Sequence, residues 1–201
     1  MVDDKSEAKL IKGALIDRYL LREKMSQGQI KYLNSEKYIS ENHGERSKHY
    51  LEERIVMQGI TGINECNRLK MTLLSKGSFC ANSANYILRS KSNNYDLRYL
   101  LGVLNSRLLN WYFKKKSSNS NVNGYEVDDL PIMPIDEDAQ KSFIAIVEKI
   151  LNVTKNKTFL TDLSQQNKVS DYERQIDQMV YELYGLTKKE IESVENFFKN
   201  E

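Results

Sequence analysis

At 201 residues the chain is long enough to bury a self-sufficient core, as one domain or one domain with a small appendage. Its 30 basic and 28 acidic residues leave a formal net charge of +2, which excludes recognition of a partner by overall charge. Any nucleic-acid contact would have to come from a local basic patch. An apolar share of 40% beside a charged share of 29% suits a soluble protein with long exposed helices. Cys66 and Cys80 have neither metal-ligand spacing nor a disulfide framework, and read as small buried groups in a reducing cytosol. The start of the chain has no apolar leader-like run and no stretch is long enough to span a bilayer. A cytoplasmic protein without a membrane partner is therefore expected.

In chain order, residues up to about 50 are polar and weakly periodic and read as short strands joined by loops, with an exposed loop over residues 40–48. Arg54-Ile55-Val56-Met57-Gln58 is an aliphatic run closed by Gly59 and Gly62, as in a buried strand entering a turn. Residues 78–83 and 85–88 are two more short strand-like runs. The period then changes. Leu97, Leu100, Leu101, Leu104 and Leu108 recur at helical spacing, and Trp111 and Tyr112 prolong the stripe. Lys114, Lys115 and Lys116 stand in the last turn of that helix, where cations meet the helix dipole favourably.

Residues 117–124 form a loop, and the prolines of Leu130-Pro131-Ile132-Met133-Pro134 demand an extended segment on a sheet edge or the surface. From Asp136 the chain reads as helical. One stripe holds Phe143, Val147, Ile150 and Leu151. A second holds Tyr172, Ile176, Met179, Val180 and Leu183. Ser170 with Glu173 and Thr187 with Glu190 fit capping boxes, and Gly185 fits a helix stop. The expected fold is α+β: a twisted β-rich domain with a packed helix over residues 1–135, then a helical hairpin and a short terminal helix over 136–201.

A search for chemistry returns none. Pro131 and Pro134 are the only prolines, so the Asn-Pro-Pro-Tyr-like loop that holds a flipped base for amino methylation is missing. Gln58 to Gly62 has neither the spacing nor the Lys-Ser/Thr of a phosphate loop. His43 and His49 have no further ligands in register and read as surface groups. The acidic pairs at Asp128-Asp129 and residues 136–138 read as helix-start charges, not as a magnesium site. The expectation is a chain that is no enzyme and holds no metal and no cofactor.

Four segments, in order, carry a resemblance. They are Gly13-Ala14-Leu15-Ile16-Asp17-Arg18-Tyr19; Arg54 to Gln58; Leu104-Asn105-Ser106 with the aromatics Trp111-Tyr112-Phe113 and then Leu130-Pro131-Ile132; and Ile176-Asp177 with Val180-Tyr181-Glu182-Leu183-Tyr184-Gly185-Leu186-Thr187. In this order they resemble the TaqI-like C-terminal specificity domain of adenine-specific DNA methyltransferases and of fused restriction–modification enzymes. The resemblance implies a module that recognises duplex DNA. A catalytic methyltransferase or endonuclease domain or subunit, outside this chain, would use S-adenosylmethionine. Half of a type I specificity subunit is an alternative, and a helical protein-interaction module is one of another class.

Under that resemblance the expected DNA-binding residues are Arg54, Gln58, Thr61, Asn64, Arg68, Lys70, Arg89, Lys91, Asn119 and Asn121, as groups in strands and loops that can match base edges. Asn67, Asn82 and Asn85 belong to the same set of loops. Arg suits guanine, and Asn or Gln suits adenine. Arg107, Lys114, Lys115 and Lys116 would fall on phosphates. The bland readings stay open. The lysines are also a solvated helix end, Asn-rich loops are often only loops, and Asn105 can bond backbone inside the fold. Tyr172, Tyr181 and Tyr184 can stack on bases but at helical spacing pack helix on helix.

Overall fold

The central strand of the molecule, β5 (Arg54–Gln58), is buried along both faces, which is why its aliphatic run does not alternate. The computed structural model describes residues 7–25, 29–92 and 95–199. Around β5 lie β1 (Ala8–Ile11), β2 (Ile16–Asp17), β3 (Leu20–Leu21), β4 (Lys31–Leu33), β6 (Met71–Leu74), β7 (Phe79–Cys80) and β8 (Ala84–Leu88). The main sheet has the order β6-β5-β8, antiparallel throughout, with Met57 opposite both Met71 and Asn85. A second sheet, β4-β1-β7, pairs β1 antiparallel with β4 and parallel with β7. Ile55 and Met57 face the helical core, whereas Val56 faces Ile11 and Ile16 in a smaller cluster under the second sheet.

The polar stretch at residues 40–48 is less loop-like than its composition suggests. It combines the end of α1 (Ser35–Glu41) with a 3-10 helix at Glu45–Leu51. Asn34 caps α1 by accepting from the Lys37 N–H at 2.8 Å, and the Ser47 hydroxyl donates to the Gly44 carbonyl. Local side-chain bonds of this kind shape a segment that has no apolar stripe.

The leucine stripe expected as one helix is two, α2 (Leu97–Asn105) and α3 (Arg107–Lys116). Ser106 divides them, with φ −62° and ψ 156°. Its hydroxyl donates to the Val103 carbonyl at 2.6 Å and accepts from the Leu109 N–H at 3.3 Å. One serine thus closes one helix and opens the next, and apolar spacing continued across the break conceals it.

After α4 (Gly124–Asp128), residues 130–134 run extended over the surface and belong to no strand. Their carbonyls are taken by tyrosines: Tyr99 donates to Met133 O and Tyr184 to Pro131 O. Three helices follow, α5 (Glu137–Thr154), α6 (Leu163–Leu183) and α7 (Lys188–Lys199). Helix α6 starts well before Ser170, because Asp162 accepts from the N–H groups of Ser164 and Gln165 and caps an exposed, polar first section. Gly185, at φ +65°, stops it. The Thr187–Glu190 box is formed in both directions.

A single apolar core runs from Tyr19 and Ile55 through α2 to Val147, Ile176, Val180 and Val194. The division at residue 135 is therefore a change of secondary structure, not a gap between two cores. Gly102 marks where α2 meets the helical pair: a Cβ there would lie 3.0 Å from Val147 Cγ2 and 3.6 Å from Ile176 Cδ1. Of the three tail tyrosines, Tyr181 is buried with its hydroxyl on Glu195, Tyr184 bonds Pro131 O, and Tyr172 lies against the core. Their role here is packing. Among the described residues no helix is long and apolar enough to cross a membrane.

Candidate nucleic-acid interface

The antiparallel register decides where the expected DNA-binding residues go. Gln58 pairs with Ala84 at one end of the main sheet, and Arg54 pairs with Leu88 at the other. Arg89 and Lys91, which follow Leu88, are exposed at the Arg54 end, with Arg89 3.8 Å from Asp96. Asn93 and Asn94 of the same turn lie outside the described residues. At the Gln58 end two loops, residues 59–68 and 117–123, are laced together. Thr61 N–H donates to Ser120 O at 3.1 Å, Val122 N–H donates to Gly59 O at 2.9 Å, and Ile60 bridges to Asn121.

Arg68 is the cross-link inside this pair of loops. It is fully buried, donates through Nε to Thr61 Oγ1 at 2.8 Å and through Nη2 to Asn119 O at 2.7 Å and Asn121 O at 3.1 Å, and lies over Phe113. Neither Arg68 nor Thr61 presents its polar atoms to a base edge. Arg54 is likewise internal, at 1% exposure. Its Nη1 donates to His49 O at 2.7 Å and Glu52 O at 3.0 Å, and its Nη2 to Ser78 O. Both arginines were expected on DNA; burial among carbonyls of their own chain makes them framework. A guanidinium's fork of donors suits it to tie several loop carbonyls at once, and that signal does not distinguish it from a base reader in sequence.

Arg107 also turns inward. Its N–H donates to Asp177 Oδ1 at 2.8 Å, and its guanidinium pairs with Asp177 at 3.6 Å and with Glu195. Burial pushes the Asp177 carboxyl up to about 6, against the Arg107 N–H and the Arg18 and Arg107 guanidiniums, which favour the carboxylate. Lys114 donates to the carbonyls of Ile63 and Glu65, and Lys70 pairs with Glu65 at 2.9 Å, so both brace the first loop. Lys115 and Lys116 remain exposed, resting over Phe197 and Tyr112.

The side chains on display at this end are then Asn64, Asn119 and Asn121, with Lys115 and Lys116 at the helix end beside them. Gln58 is half-buried and donates to Ile60 O, which leaves its amide oxygen as an acceptor. Three large apolar side chains that the sequence reading passed over stand among them: Ile60 at 56%, Ile63 at 47% and Tyr125 at 67% exposure. An isoleucine between glycines and asparagines is the available sequence signal. Amides match adenine edges, apolar groups match the thymine methyl, and lysines match phosphates, so this set has the chemistry of a duplex-reading surface.

A model of the TaqI-like C-terminal specificity domain matches residues 8–132, well over half of the chain. The chain belongs to this family. Within the specificity domain, the segments that carry the resemblance form its internal joints. Arg18 donates to Asn67 Oδ1 and Asn105 O and pairs with Glu173 at 3.1 Å. Tyr19, at φ 55°, gives its N–H to Met71 O, and its carbonyl accepts from Thr154 Oγ1 at 2.7 Å. Gly13 lies so close to the next loop that a Cβ would sit 2.3 Å from Ser83 O. The resemblance at the end of the chain falls beyond the matched residues, yet Asp177 there is bonded to Arg107 of α3.

The fold is similar to part of the type IIL restriction–modification enzyme MmeI, solved in complex with DNA. The TM-score is 0.59 at 10% identity, over 96% of this chain and 30% of that one. At this identity the likeness is one of fold, and the chain spans under a third of that enzyme. No curated protein matches it.

Proposed function

We propose that this specificity domain selects the target sequence in duplex DNA for a restriction–modification enzyme. In this reading adenine-N6 methylation, with S-adenosylmethionine, belongs to a separate domain or subunit of the same cytoplasmic system, and this chain carries no catalysis. The supporting observation is the pair of laced loops at the Gln58 end, which displays Asn64, Asn119 and Asn121 beside Lys115 and Lys116 on a rigid sheet. Rigid presentation of adaptable amides is what direct readout requires. The DNA-bound state of MmeI, the similar structure, is in keeping with this reading.

Binding to mixed-sequence duplex over a range of salt tests the phosphate part. Replacing Lys115 and Lys116 together by alanine is expected to reduce the slope of log affinity against log salt by about 1.8, at about 0.9 per phosphate. The fold should be untouched, since both side chains are exposed. A slope equal to that of the unaltered chain would remove both lysines from the interface. The finer assignment is tested by exchanging residues 59–68 and 117–123 together for those of a second family member inside the full-length enzyme. The methylated adenine motif of the host genome should change. An unchanged motif would refute the recognition role.

A further inference from the structure

Between the edge strands β7 and β8 runs a groove of about 670 Å³. Its charge sets it apart from the other cavities. The cavities beside Arg89, Arg107 and Lys116 are each lined by at least one of Asp96, Glu137, Glu65, Glu126 or Asp129. This groove has no acidic lining residue, and Arg46, His49 and Arg54 all line it. Arg54 is 1% exposed, its other donors are spent on carbonyls, and its Nε is buried without a hydrogen-bond partner. A buried guanidinium held by neutral carbonyls keeps its full charge beneath the groove floor. Tyr86 and His49 Nδ1 are hydrogen-bonded at 2.9 Å on one wall, while Asn82 and Asn85 supply amides toward the other end.

That other end opens onto the recognition loops. Asn85 donates to Val122 O, and Gly124 closes the lining there. The groove is therefore continuous with the loop surface and runs from it toward the Arg54 end of the sheet. We propose that it holds a DNA backbone phosphate, with Arg46 at its rim as the direct ion-pair partner, Asn82 as a neutral donor and Arg54 as the buried charge beneath. The chemistry is that of a phosphodiester: an anion with several acceptor oxygens entering a cleft that has donors and no carboxylate. This rests on the DNA-recognition reading above and adds a contact that the loop residues alone do not make. It would extend the footprint along one strand and leave sequence choice to the loops.

The test uses the whole chain and mixed-sequence duplex DNA, with Arg46→Ala and Asn82→Asp. Both residues are exposed, so neither change should alter the thermal unfolding transition. Arg46→Ala should lower the salt slope by about 0.9, which at about 0.1 M salt is an affinity loss of about eight-fold. Asn82→Asp puts a carboxylate into the groove and should weaken binding by at least as much. If the unaltered chain binds duplex and both variants match it in affinity and slope, the groove is no phosphate site and the loop reading stands. If the unaltered chain binds no duplex at low salt, the DNA reading itself fails and takes the groove with it.

Discussion

Asn105→Ala is expected to cost about 3 kcal/mol of stability, although it removes only one small amide. The side chain is fully buried. Its Oδ1 accepts from Met71 N–H at 3.2 Å, and its Nδ2 donates to Met71 O at 3.0 Å. Met71 opens β6, an edge strand of the main sheet, so the Asn105 amide completes the ladder where no further strand exists. Alanine would leave a buried N–H without a partner and a cavity between α2 and β6. Water has no route to a pair of groups at zero exposure, so the full desolvation cost persists. Asn105→Asp should be at least as harmful. It keeps one acceptor but sets a carboxylate oxygen against the Met71 carbonyl. Urea unfolding followed by circular dichroism would read the loss as a fall of about 1–1.5 M in the midpoint at unchanged slope. A midpoint within experimental error of the parent would show that the amide contributes nothing net.

Arg68→Ala should lower stability by a comparable amount, about 3 kcal/mol, and should also weaken DNA binding. The arginine ties Thr61, Asn119 and Asn121 into one unit and covers Phe113. Its loss leaves Thr61 Oγ1 with a missing donor inside the fold, empties space over an aromatic ring, and frees two loops whose relative placement is otherwise held by few backbone bonds. Arg68→Lys separates the effects. One ammonium on a flexible stem cannot span the three acceptors, so stability should return only in part and duplex affinity should stay at least about five-fold low. Duplex binding at parental affinity by a folded Arg68→Ala protein would mean that the laced loops are not the reading surface.

Much of the architecture was legible in the residues. Helical stripes gave α5, α6 and α7, and Gly185 with Thr187 and Glu190 gave the stop and the restart between the last two. The break at Ser106 was not legible, because the leucine spacing runs on through a residue whose hydroxyl ends one helix and starts another. Nor was the true start of α6, where an aspartate cap precedes a section with no apolar stripe. The candidate site was legible only as a pool of polar loop residues. Arg54, Arg68 and Arg107 come from that pool, and each is consumed by groups of its own chain.

The residues in order thus determined the α+β class, the central strand, the helical tail and the family, since these depend on local period and on short motifs. Which arginines are framework and which cations are free was decided only in three dimensions. The antiparallel register sends Arg89 and Lys91 to one end of the sheet and the asparagine loops to the other. Burial then turns Arg54 and Arg68 from expected readers into supports, because a buried guanidinium must satisfy its donors on nearby carbonyls wherever the chain brings them. Donor type is a property of the residue. Whether a donor faces DNA or the protein depends on partners distant in sequence, such as Asn119 for Arg68 and Asp177 for Arg107.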